Sequence, residues 1–336
     1  MLRSSQTVHP IEVEVVCKGE VSLVAILQAA GTWGSMLAVV LGYRYFPGLG
    51  LTWLVLALTP FLLPGVIIAL ELLCVARTAR PNGDDGRSNW KVWVRTWWVE
   101  WCLNLLVFAW RQPFAWKRLP DSSGRGGDRQ SPVVFVHGYL CNSGFWQPWL
   151  QACRDAGRPY ATVNLEPVFS GIDAYVPQIE AAVHRVELAT GRRPVLVGHS
   201  MGGLAIRAWL AFQPTDQQSR WLAVITIGSP HRGTWLARWS RTPSGQQMRL
   251  GSEWLAQLRA REEAHQCTLN HARFLCWSSE TDNVVFPVEA AGLPGADNRR
   301  LHAAGHIELA YLPSVISSSL EWIASAERSP AALTRS

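Results

Sequence analysis

The chain has 336 residues, 48% of them hydrophobic and only 17% charged, which is enough for one large domain and apolar for a soluble enzyme. Its net charge of +6 comes without a dense Lys/Arg face or an RNA-binding signature, so nucleic acid is excluded as the expected partner. The 18 tryptophans favour a membrane boundary, because an indole ring has an apolar body and a polar edge.

Behind an N-terminal segment of residues 1–20, two long uncharged stretches follow one another. Residues 21–42 are almost wholly apolar and residues 45–70 carry no charge, so each exceeds the roughly 20 residues that a helix needs to cross a bilayer. A buried core helix is the alternative for either stretch, but two in tandem favour a membrane. The connecting turn, residues 43–51, is short, and residues 21–75 are therefore predicted to form a transmembrane helical hairpin.

The flanking basic residues predict the orientation of this hairpin. Its connecting turn holds only Arg44, whereas five basic residues follow the second stretch: Arg77, Arg80, Arg87, Lys91 and Arg95. Short loops rich in Lys and Arg stay in the cytoplasm. The turn is therefore predicted to lie outside, and everything after residue 75 on the cytoplasmic side of the membrane.

Residues 76–116 form a segment rich in tryptophan, with Trp at positions 90, 93, 97, 98, 101, 110 and 116. Its apolar part, residues 102–110, is too short to span a bilayer, and Arg95 and Glu100 interrupt any longer version. We interpret the segment as an interfacial helix in the plane of the lipid headgroups. The alternative is a helix packed against the domain that follows, and a third true span would move that domain to the other side of the membrane.

A polar stretch rich in Gly and Ser, residues 117–130, is typical of a flexible linker. From residue 131 to residue 326 short apolar strands alternate with amphipathic helices, and residues 327–336 form a C-terminal tail. This alternation indicates an α/β domain with a mainly parallel sheet and helices on both faces. The predicted strands cover residues 132–136, 161–165, 194–198, 222–227 and 274–277.

The strongest motif is a G-x-S-x-G sequence around Ser200, which follows a predicted strand and opens a predicted helix. In this context the serine sits on a sharp, strained turn that exposes its hydroxyl at the carboxyl edge of the sheet. The turn crowds the residues two before and two after the serine, and Gly198 and Gly202 fit there. Gly203 allows the helix to pack close to the sheet. The pattern predicts a nucleophilic Ser200.

The end of the first strand carries a second element, His137-Gly138-Tyr139. Acyl transfer requires hydrogen-bond donors aimed at the oxyanion of the tetrahedral intermediate. The backbone N–H groups of Met201 and Tyr139 are the expected donors, and Gly138 permits the close turn that points the second one inward. We interpret His137 as a structural residue of this turn.

Three motifs together resemble those of bacterial lipases and esterases of the α/β-hydrolase superfamily: His137-Gly138, residues 198–203, and the Ile-Gly-Ser-Pro-His-Arg-Gly run at 227–233. The resemblance covers about residues 131–326 and leaves the membrane region outside. For this part of the chain it implies an α/β-hydrolase fold and hydrolysis of acyl esters. Together with the predicted transmembrane hairpin ahead of it, the chain is expected to be a multi-pass protein of the bacterial inner membrane.

The resemblance also implies an acid and a base, which follow the serine in the order Ser, acid, His. Asp282, shortly before a Val-Val-x-Pro run, matches the position of the family's acid, with Glu280 as the alternative. His306 matches the family's Gly-His pattern before the last helix, whereas His302 is interpreted as part of the approach to that loop. The acid would hold the imidazole tautomer and stabilise the imidazolium.

Residues 235–271 mix apolar and aromatic side chains with many Arg and Gln, at the usual place of an insertion over the site. They are consistent with a lid that opens at an interface or with ordinary cap helices. No metal and no cofactor are predicted, although some bacterial lipases of this type bind calcium.

The sequence as a whole predicts a membrane-anchored carboxylesterase or lipase that acts on acyl esters, with lipid as the expected substrate and the bilayer as the partner. The reaction would pass through an acyl-Ser200 intermediate. A thioesterase or amidase would use the same residues. The alternative outside the enzymes is a membrane scaffold whose hydrolase-like domain only binds a lipid or a protein.

Overall fold

The computed structural model describes residues 22–78, 90–122, 130–213, 220–264 and 271–328. The predicted N-terminal segment and nearly all of the predicted tail lie outside these ranges. The described α-helices are α1 (Leu23–Ala29), α2 (Ser35–Tyr45), α3 (Gly50–Thr78), α4 (Trp90–Asn104), α5 (Gln112–Phe114), α6 (Gln147–Asp155), α7 (Val176–Thr190), α8 (Met201–Phe212), α9 (Pro243–Gln247), α10 (Glu253–Ala264), α11 (His306–Tyr311) and α12 (Pro313–Arg328).

One parallel sheet has the strand order β2-β1-β3-β4-β5-β6. Its strands are β1 (Val133–Val136), β2 (Tyr160–Val163), β3 (Val195–His199), β4 (Ala223–Ile227), β5 (Phe274–Ser279) and β6 (Asp297–Leu301). The first five match the predicted strands to within a residue or two, and the α/β class is confirmed. No strand was predicted at β6 because its sequence, Asp-Asn-Arg-Arg-Leu, is polar and partly exposed at the sheet edge.

Helices cover both faces of the sheet, so every residue of β1 to β5 is buried, as is typical of parallel sheets. Alternate residues of a strand enter two separate cores. Val134 and Leu196 belong to the core under α7 and α8. Phe135 and Val197 belong to the core under α6 and α12. The carboxyl ends of β1, β3, β4 and β5 thus meet at one edge, where the predicted site residues follow.

Ahead of the sheet, two helical stretches are long and apolar enough to cross a membrane: Leu23–Tyr45, in which a π-helical turn joins α1 to α2, and Pro47–Thr78, which contains α3. Only 11% of the most apolar window in each is buried, so neither is a core helix of the sheet domain. Pro60 and Pro64 lie inside α3, which continues through both. This observation rests on length and composition, and the membrane crossing stays a prediction.

Helix α4, the central part of the tryptophan-rich segment, lies against α3. The indole N–H groups of Trp97 and Trp101 donate to the carbonyl oxygens of Gly65 (2.7 Å) and Phe61 (2.8 Å) in α3. The pairing runs in opposite chain directions, so the two helices are antiparallel. A Cβ at Gly65 would lie 2.9 Å from the Trp101 indole, which shows how closely they approach.

A second face of α4 packs against the sheet domain, where Thr96 and Glu100 are buried. This is the packing that the sequence left as an alternative to a helix in the headgroup plane. Trp90, Trp98 and, beyond the helix, Trp110 remain exposed at 68%, 55% and 57%. The segment therefore contacts protein on two sides, its exposed residues include these tryptophans together with Lys91 and Arg95, and its placement among lipid headgroups stays a prediction.

The predicted linker differs from expectation in its first part. Ser122 pairs with Tyr160 of the edge strand β2 through two backbone hydrogen bonds, of 3.0 and 2.8 Å, and Asp121 accepts from the backbone N–H and the hydroxyl of Thr162. Residues 117–122 thus belong to the folded edge of the domain, and residues 123–129 lie outside the described ranges. At the other end Glu327, assigned to the tail, accepts a hydrogen bond from Ser131 (2.7 Å) and pairs with Arg158.

Candidate active site

Ser200 occupies the sharp turn between β3 and α8. Its backbone has φ 54° and ψ −125°, a left-handed conformation that a residue with a side chain adopts only under constraint. The constraint includes a hydrogen bond from its N–H to the Ile227 carbonyl at the end of β4 (2.9 Å). The serine is thus held at the carboxyl edge of the sheet, in the geometry expected of a nucleophile elbow.

The three predicted glycines, Gly198, Gly202 and Gly203, lie where the turn leaves no room for a side chain. A Cβ at Gly198 would lie 2.7 Å from the backbone nitrogen of Gly203, and one at Gly203 would overlap the Ser229 side chain. A Cβ at Gly202 would overlap the carbonyl oxygen of Val136 in β1. Since the obstacles at Gly198 and Gly202 are backbone atoms, a side chain there cannot be accommodated by a rotamer change.

Gly202→Ala is accordingly expected to lower the free energy of unfolding by about 3 kcal/mol or more, because either β1 or α8 must move. The midpoint of chemical denaturation followed by tryptophan fluorescence measures this loss. Gly31→Ala is the control, since a Cβ at Gly31 meets no atom within 4 Å. Equal stability of the two variants would contradict the close approach of α8 to β1.

The turn after β1 lies against the serine. A Cβ at Gly138 would lie 2.9 Å from the Cβ of Ser200. The ring of the next residue, Tyr139, is turned toward the cap, where its hydroxyl donates to the Thr242 hydroxyl (3.2 Å). Met201 is the first residue of α8, where a backbone N–H has no partner within the helix. The structure thus brings both predicted donor residues beside Ser200.

Asp282 and His306 are brought together beneath this edge. The His306 Nδ1 lies 3.0 Å from each carboxylate oxygen of Asp282, and both side chains are buried. Asp282 Oδ1 also accepts the backbone N–H bonds of Val284 and Val285, each 2.8 Å. With Nδ1–H donating to the carboxylate, Nε2 is left as the proton acceptor of the ring.

The pair also lies beside the serine turn. His306 contacts His199, the residue before Ser200, with ring centroids 4.5 Å apart, and His199 Nε2 donates to the His306 carbonyl (3.1 Å). A Cβ at Gly228, directly after the Ile227 that binds Ser200, would lie 3.1 Å from His306 Nδ1. Ser200, Asp282 and His306 therefore lie together at the carboxyl ends of β3, β4 and β5.

The two alternative residues are paired with each other and lie apart. His302 Nδ1 is 3.2 Å from Glu280 Oε2, and the His302 side chain is 91% exposed. Because this pair is exposed to water, its carboxylate does not fix the imidazole in one position, and the pair does not lie against the buried turn of Ser200. Of the four candidates, Asp282 and His306 form a buried pair beside the serine turn, whereas Glu280 and His302 form an exposed one.

The remaining histidines of the elbow region are structural. His137 donates from Nδ1 to the Gly138 carbonyl (2.9 Å) and accepts the Leu165 N–H at Nε2 (3.0 Å), so both ring nitrogens are used. Burial lowers the pKa of His137 to about 4. Burial also lowers the pKa of His199 well below the usual value. Both rings are therefore neutral and serve to hold backbone.

Two opposing effects act on the pKa of His306. Burial by itself lowers its pKa, whereas the carboxylates of Asp282, Glu100 and Glu71 raise it, and the net pKa lies above the usual histidine value. A buried imidazole beside a carboxylate is thus held more basic than a free one.

The acid limb of the pH profile follows from this shift. A base must be neutral to take a proton, so activity is lost as the pH falls through the raised pKa of His306. We expect kcat/KM, which reports the free enzyme, to fall with a midpoint above about 6.5, the pKa of an unperturbed histidine. A limb at or below that value would contradict the net effect of the three carboxylates.

Sequence reasoning missed two carboxylates, of Glu100 and Glu71, that bind the neighbours of His306 and Asp282. Glu100 of α4 accepts the backbone N–H bonds of Ile307 (2.7 Å) and Glu308 (3.0 Å), the residues directly after His306. Glu71 of α3 accepts from the side-chain amide of Asn283 (2.7 Å). The available signal for Glu100 was a single carboxylate in a tryptophan-rich helix whose other charged residues, Lys91 and Arg95, are basic.

The region over the site packs as a cap. Gln247 of α9 accepts the Ile172 N–H (2.7 Å), and Glu262 of α10 forms a buried ion pair with Arg207 of α8 (2.7 Å). Two exposed apolar side chains lie next to Tyr139: Leu140 (38%), which follows it in the chain, and Phe169 (47%), whose ring centroid is 6.3 Å from that of Tyr139. Residues 265–270 lie outside the described ranges, and the choice between lid and fixed cap stays open.

No His/Cys/Asp/Glu group of three or more that could hold a metal ion occurs within the described parts of the chain. The absence of a metal and of a cofactor stays a prediction.

No protein-family model and no curated protein matches the sequence. Among solved structures, lipase B of Aspergillus fumigatus superposes with a TM-score of 0.53 and 17% identity, over 63% of this chain and 57% of that one. This chain has the α/β-hydrolase fold. The mature lipase of Bacillus licheniformis is similar at 18% identity, with 61% of this chain, 94% of that chain and a TM-score of 0.49.

In the α/β-hydrolase fold the nucleophile, acid and base follow the chain order serine, acid, histidine, which is the order of Ser200, Asp282 and His306 here. The chain covers little more than half of the Aspergillus enzyme. The likeness at this identity establishes the fold alone.

Proposed function

We propose that the protein is a membrane-anchored serine ester hydrolase, a carboxylesterase or lipase that cleaves acyl esters. The observation that carries the proposal is the buried Asp282–His306 hydrogen bond beside a serine held at φ 54°. A purely structural turn would gain nothing from that strained backbone, whereas a nucleophile elbow depends on it.

In the proposed reaction the Ser200 hydroxyl attacks the ester carbonyl carbon while His306 Nε2 takes its proton. The C=O electron pair becomes an oxyanion, for which the backbone N–H groups of Tyr139 and Met201 are the donors. His306 then gives the proton to the leaving alcohol as the C–O bond breaks. Water, deprotonated by His306, then attacks the acyl carbon, and the acid leaves as the acyl C–O bond to Ser200 breaks and His306 returns the proton to Oγ. Asp282 holds the imidazole tautomer and stabilises the imidazolium.

The proposed substrates are esters of lipids within or next to a bilayer. Two long apolar helices precede the domain, and the exposed apolar side chains of Leu140 and Phe169 lie next to Tyr139. Gln28 of α1 donates to the Leu140 carbonyl (3.0 Å), so the first of these helices contacts the turn that carries Tyr139. A site beside a membrane helix is well placed to receive substrate from lipid.

We further propose a multi-pass protein of the bacterial inner membrane with the catalytic domain in the cytoplasm. Gln28 near one end of the hairpin and Glu71 near the other both contact the domain, so both ends lie on one side of the membrane. The basic residues after α3 favour the cytoplasmic side. Proteolysis of intact spheroplasts tests this placement: a catalytic domain digested without permeabilisation would overturn it.

A fluorophosphonate probe separates the enzyme from a non-catalytic scaffold. We expect covalent labelling of the detergent-solubilised full chain and none of the Ser200→Ala variant. Labelling that is absent from the wild type, or that persists in the variant, would refute the serine mechanism.

The substrate class is tested with matched ester, thioester and amide panels of increasing acyl chain length, in solution and in phosphatidylcholine vesicles, with Ser200→Ala as background. Faster cleavage of long acyl esters in vesicles supports the lipid proposal. Activity confined to short soluble esters would refute the lipid substrate, and a preference for thioesters or amides would move the protein to those classes.

A further inference from the structure

The loop that carries His306 is held from outside the catalytic domain. Helix α11 begins at His306, and its flanking residue Gly305 has no side chain that could accept the backbone N–H groups of the first turn. The carboxylate of Glu100, from α4, accepts the N–H groups of Ile307 and Glu308 instead. A Cβ at Gly305 would overlap this carboxylate, so glycine makes the room that Glu100 occupies.

The environment of Glu100 fits this role. Its side chain is buried (2% exposed), and burial raises its pKa to about 7 against the opposing effect of the two N–H bonds. Burying a carboxylate costs desolvation free energy, and the two hydrogen bonds that Glu100 accepts offset only part of that cost. Arg95, which precedes Glu100 on α4, forms an ion pair with Glu308 (2.5 Å). Helix α4 therefore contacts α11 through two of its side chains.

A second carboxylate reaches His306 from α3. Glu71 accepts from the side-chain amide of Asn283 (2.7 Å), and Asn283 Oδ1 accepts the backbone N–H of His306 (3.1 Å). Asn283 directly follows Asp282, so this bond orients the amide beside both members of the pair. Two helices that precede the catalytic domain thus hold the backbone of the proposed base.

We propose that Glu100, together with Glu71, is a positioning residue for His306, so that the helices ahead of the catalytic domain form part of the active site rather than only an anchor. Glu100 acts through the N–H groups of Ile307 and Glu308, and Glu71 acts through Asn283. Neither contacts Ser200. This inference rests on the proposed function for its kinetic readout, and on hydrogen-bond geometry for the spectroscopic one.

Glu100→Gln tests the proposal in the detergent-solubilised full chain, because the amide keeps the shape but presents an NH₂ group to one of the two N–H donors. We expect kcat for a soluble acyl ester to fall about 10- to 100-fold, as for a misplacement of about 1 Å, with KM changed by less than about threefold. Glu71→Gln is expected to have a smaller effect in the same direction. The control is Glu321→Gln, an exposed acid of α12, with unchanged kcat.

A rescue pair separates positioning from general stability. Glu100→Gly removes the acceptor, and Glu100→Gly/Gly305→Ser returns one from the helix itself, in the space that the glutamate vacates. Both variants carry the same helix-weakening glycine. We expect the double variant to have a kcat at least about fivefold above the single one. Equal values in the two variants would overturn the proposal, as would a wild-type kcat in Glu100→Gln.

A readout independent of activity is the downfield proton resonance of the His306–Asp282 hydrogen bond. It is expected to shift or broaden in Glu100→Gln and to stay in place in Glu321→Gln. An unshifted resonance would overturn the positioning role even if no substrate had been found. A wild type without labelling at Ser200 would instead refute the proposed function, so the two failures are distinguishable.

Discussion

Ser200→Ala is expected to lower kcat/KM for an acyl ester on the order of 10⁶-fold, to the background rate left by substrate binding and the oxyanion donors. The loss is large because the Oγ atom is the only group at the elbow that can form the acyl-enzyme. Alanine has the same backbone restrictions as serine at φ 54°, so the fold should be retained. Single-turnover and steady-state assays on the solubilised full chain measure the effect.

Ser317→Ala on the exposed side of α12 is the matched control, since this serine bonds only to the nearby Ser314 carbonyl. Its kcat/KM should equal that of the wild type. A Ser200→Ala variant that kept more than about 1% of the activity would contradict a covalent serine mechanism and would leave the elbow as a binding turn.

Asp282→Asn is expected to lower kcat on the order of 10⁴-fold with little change in substrate binding. The carboxylate now accepts three N–H groups, from His306 Nδ1 and from the backbones of Val284 and Val285. An asparagine that keeps the backbone bonds must turn its NH₂ toward Nδ1. The proton of the imidazole then moves to Nε2, where it blocks the acceptance of the Ser200 proton.

Glu280→Gln is the control for this assignment, because Glu280 contacts the exposed His302 rather than the buried pair. Its kcat is expected to stay within about threefold of the wild type, in line with the small contribution of exposed ion pairs. A larger loss from Glu280→Gln than from Asp282→Asn would mean that the acid has been misassigned.

The fold could be predicted from the sequence to the extent that its signals are local. Five strands are runs of four to six buried residues, largely apolar, and each was found because such a run is apparent without its neighbours. Strand β6 was missed because it pairs on one side only and its polar residues have no such signal. The hydrogen bonds of Asp121 and Ser122 with β2 were missed for a similar reason, since a polar, Gly/Ser-rich stretch does not reveal a neighbouring edge strand.

The candidate site likewise contains residues that local sequence motifs predict and residues that such motifs do not distinguish. The elbow around Ser200 is a short motif whose glycines are dictated by contacts within one strand–turn–helix unit, and the sequence was sufficient to find it. Choosing Asp282 over Glu280 required a resemblance, because both acids lie on one loop two residues apart. Burial distinguishes them: Asp282 is 2% exposed, whereas the Glu280 side chain is 44% exposed.

The contacts of the preceding helices with the site had no sequence signature. Glu100 and Ile307 are 207 residues apart, and Glu71 and Asn283 are 212 apart. The sequence predicted a membrane span that ends before Glu71 and an interfacial helix that Glu100 keeps from being a span, so neither acid was assigned a partner. A buried carboxylate is costly, so its presence indicates a partner, but only the packing of α3 and α4 on the domain identifies which backbone it serves.

The sequence alone determined the α/β class, the two apolar helices, the serine turn and its glycines, because strand, helix and elbow are each specified by neighbouring residues. Only the tertiary structure decided that Asp282 and His306 form the buried pair, and that α3 and α4 contact the loop that holds it. The physical reason is that hydrogen bonds and burial depend on distance in space, which connects residues that the chain separates by most of its length.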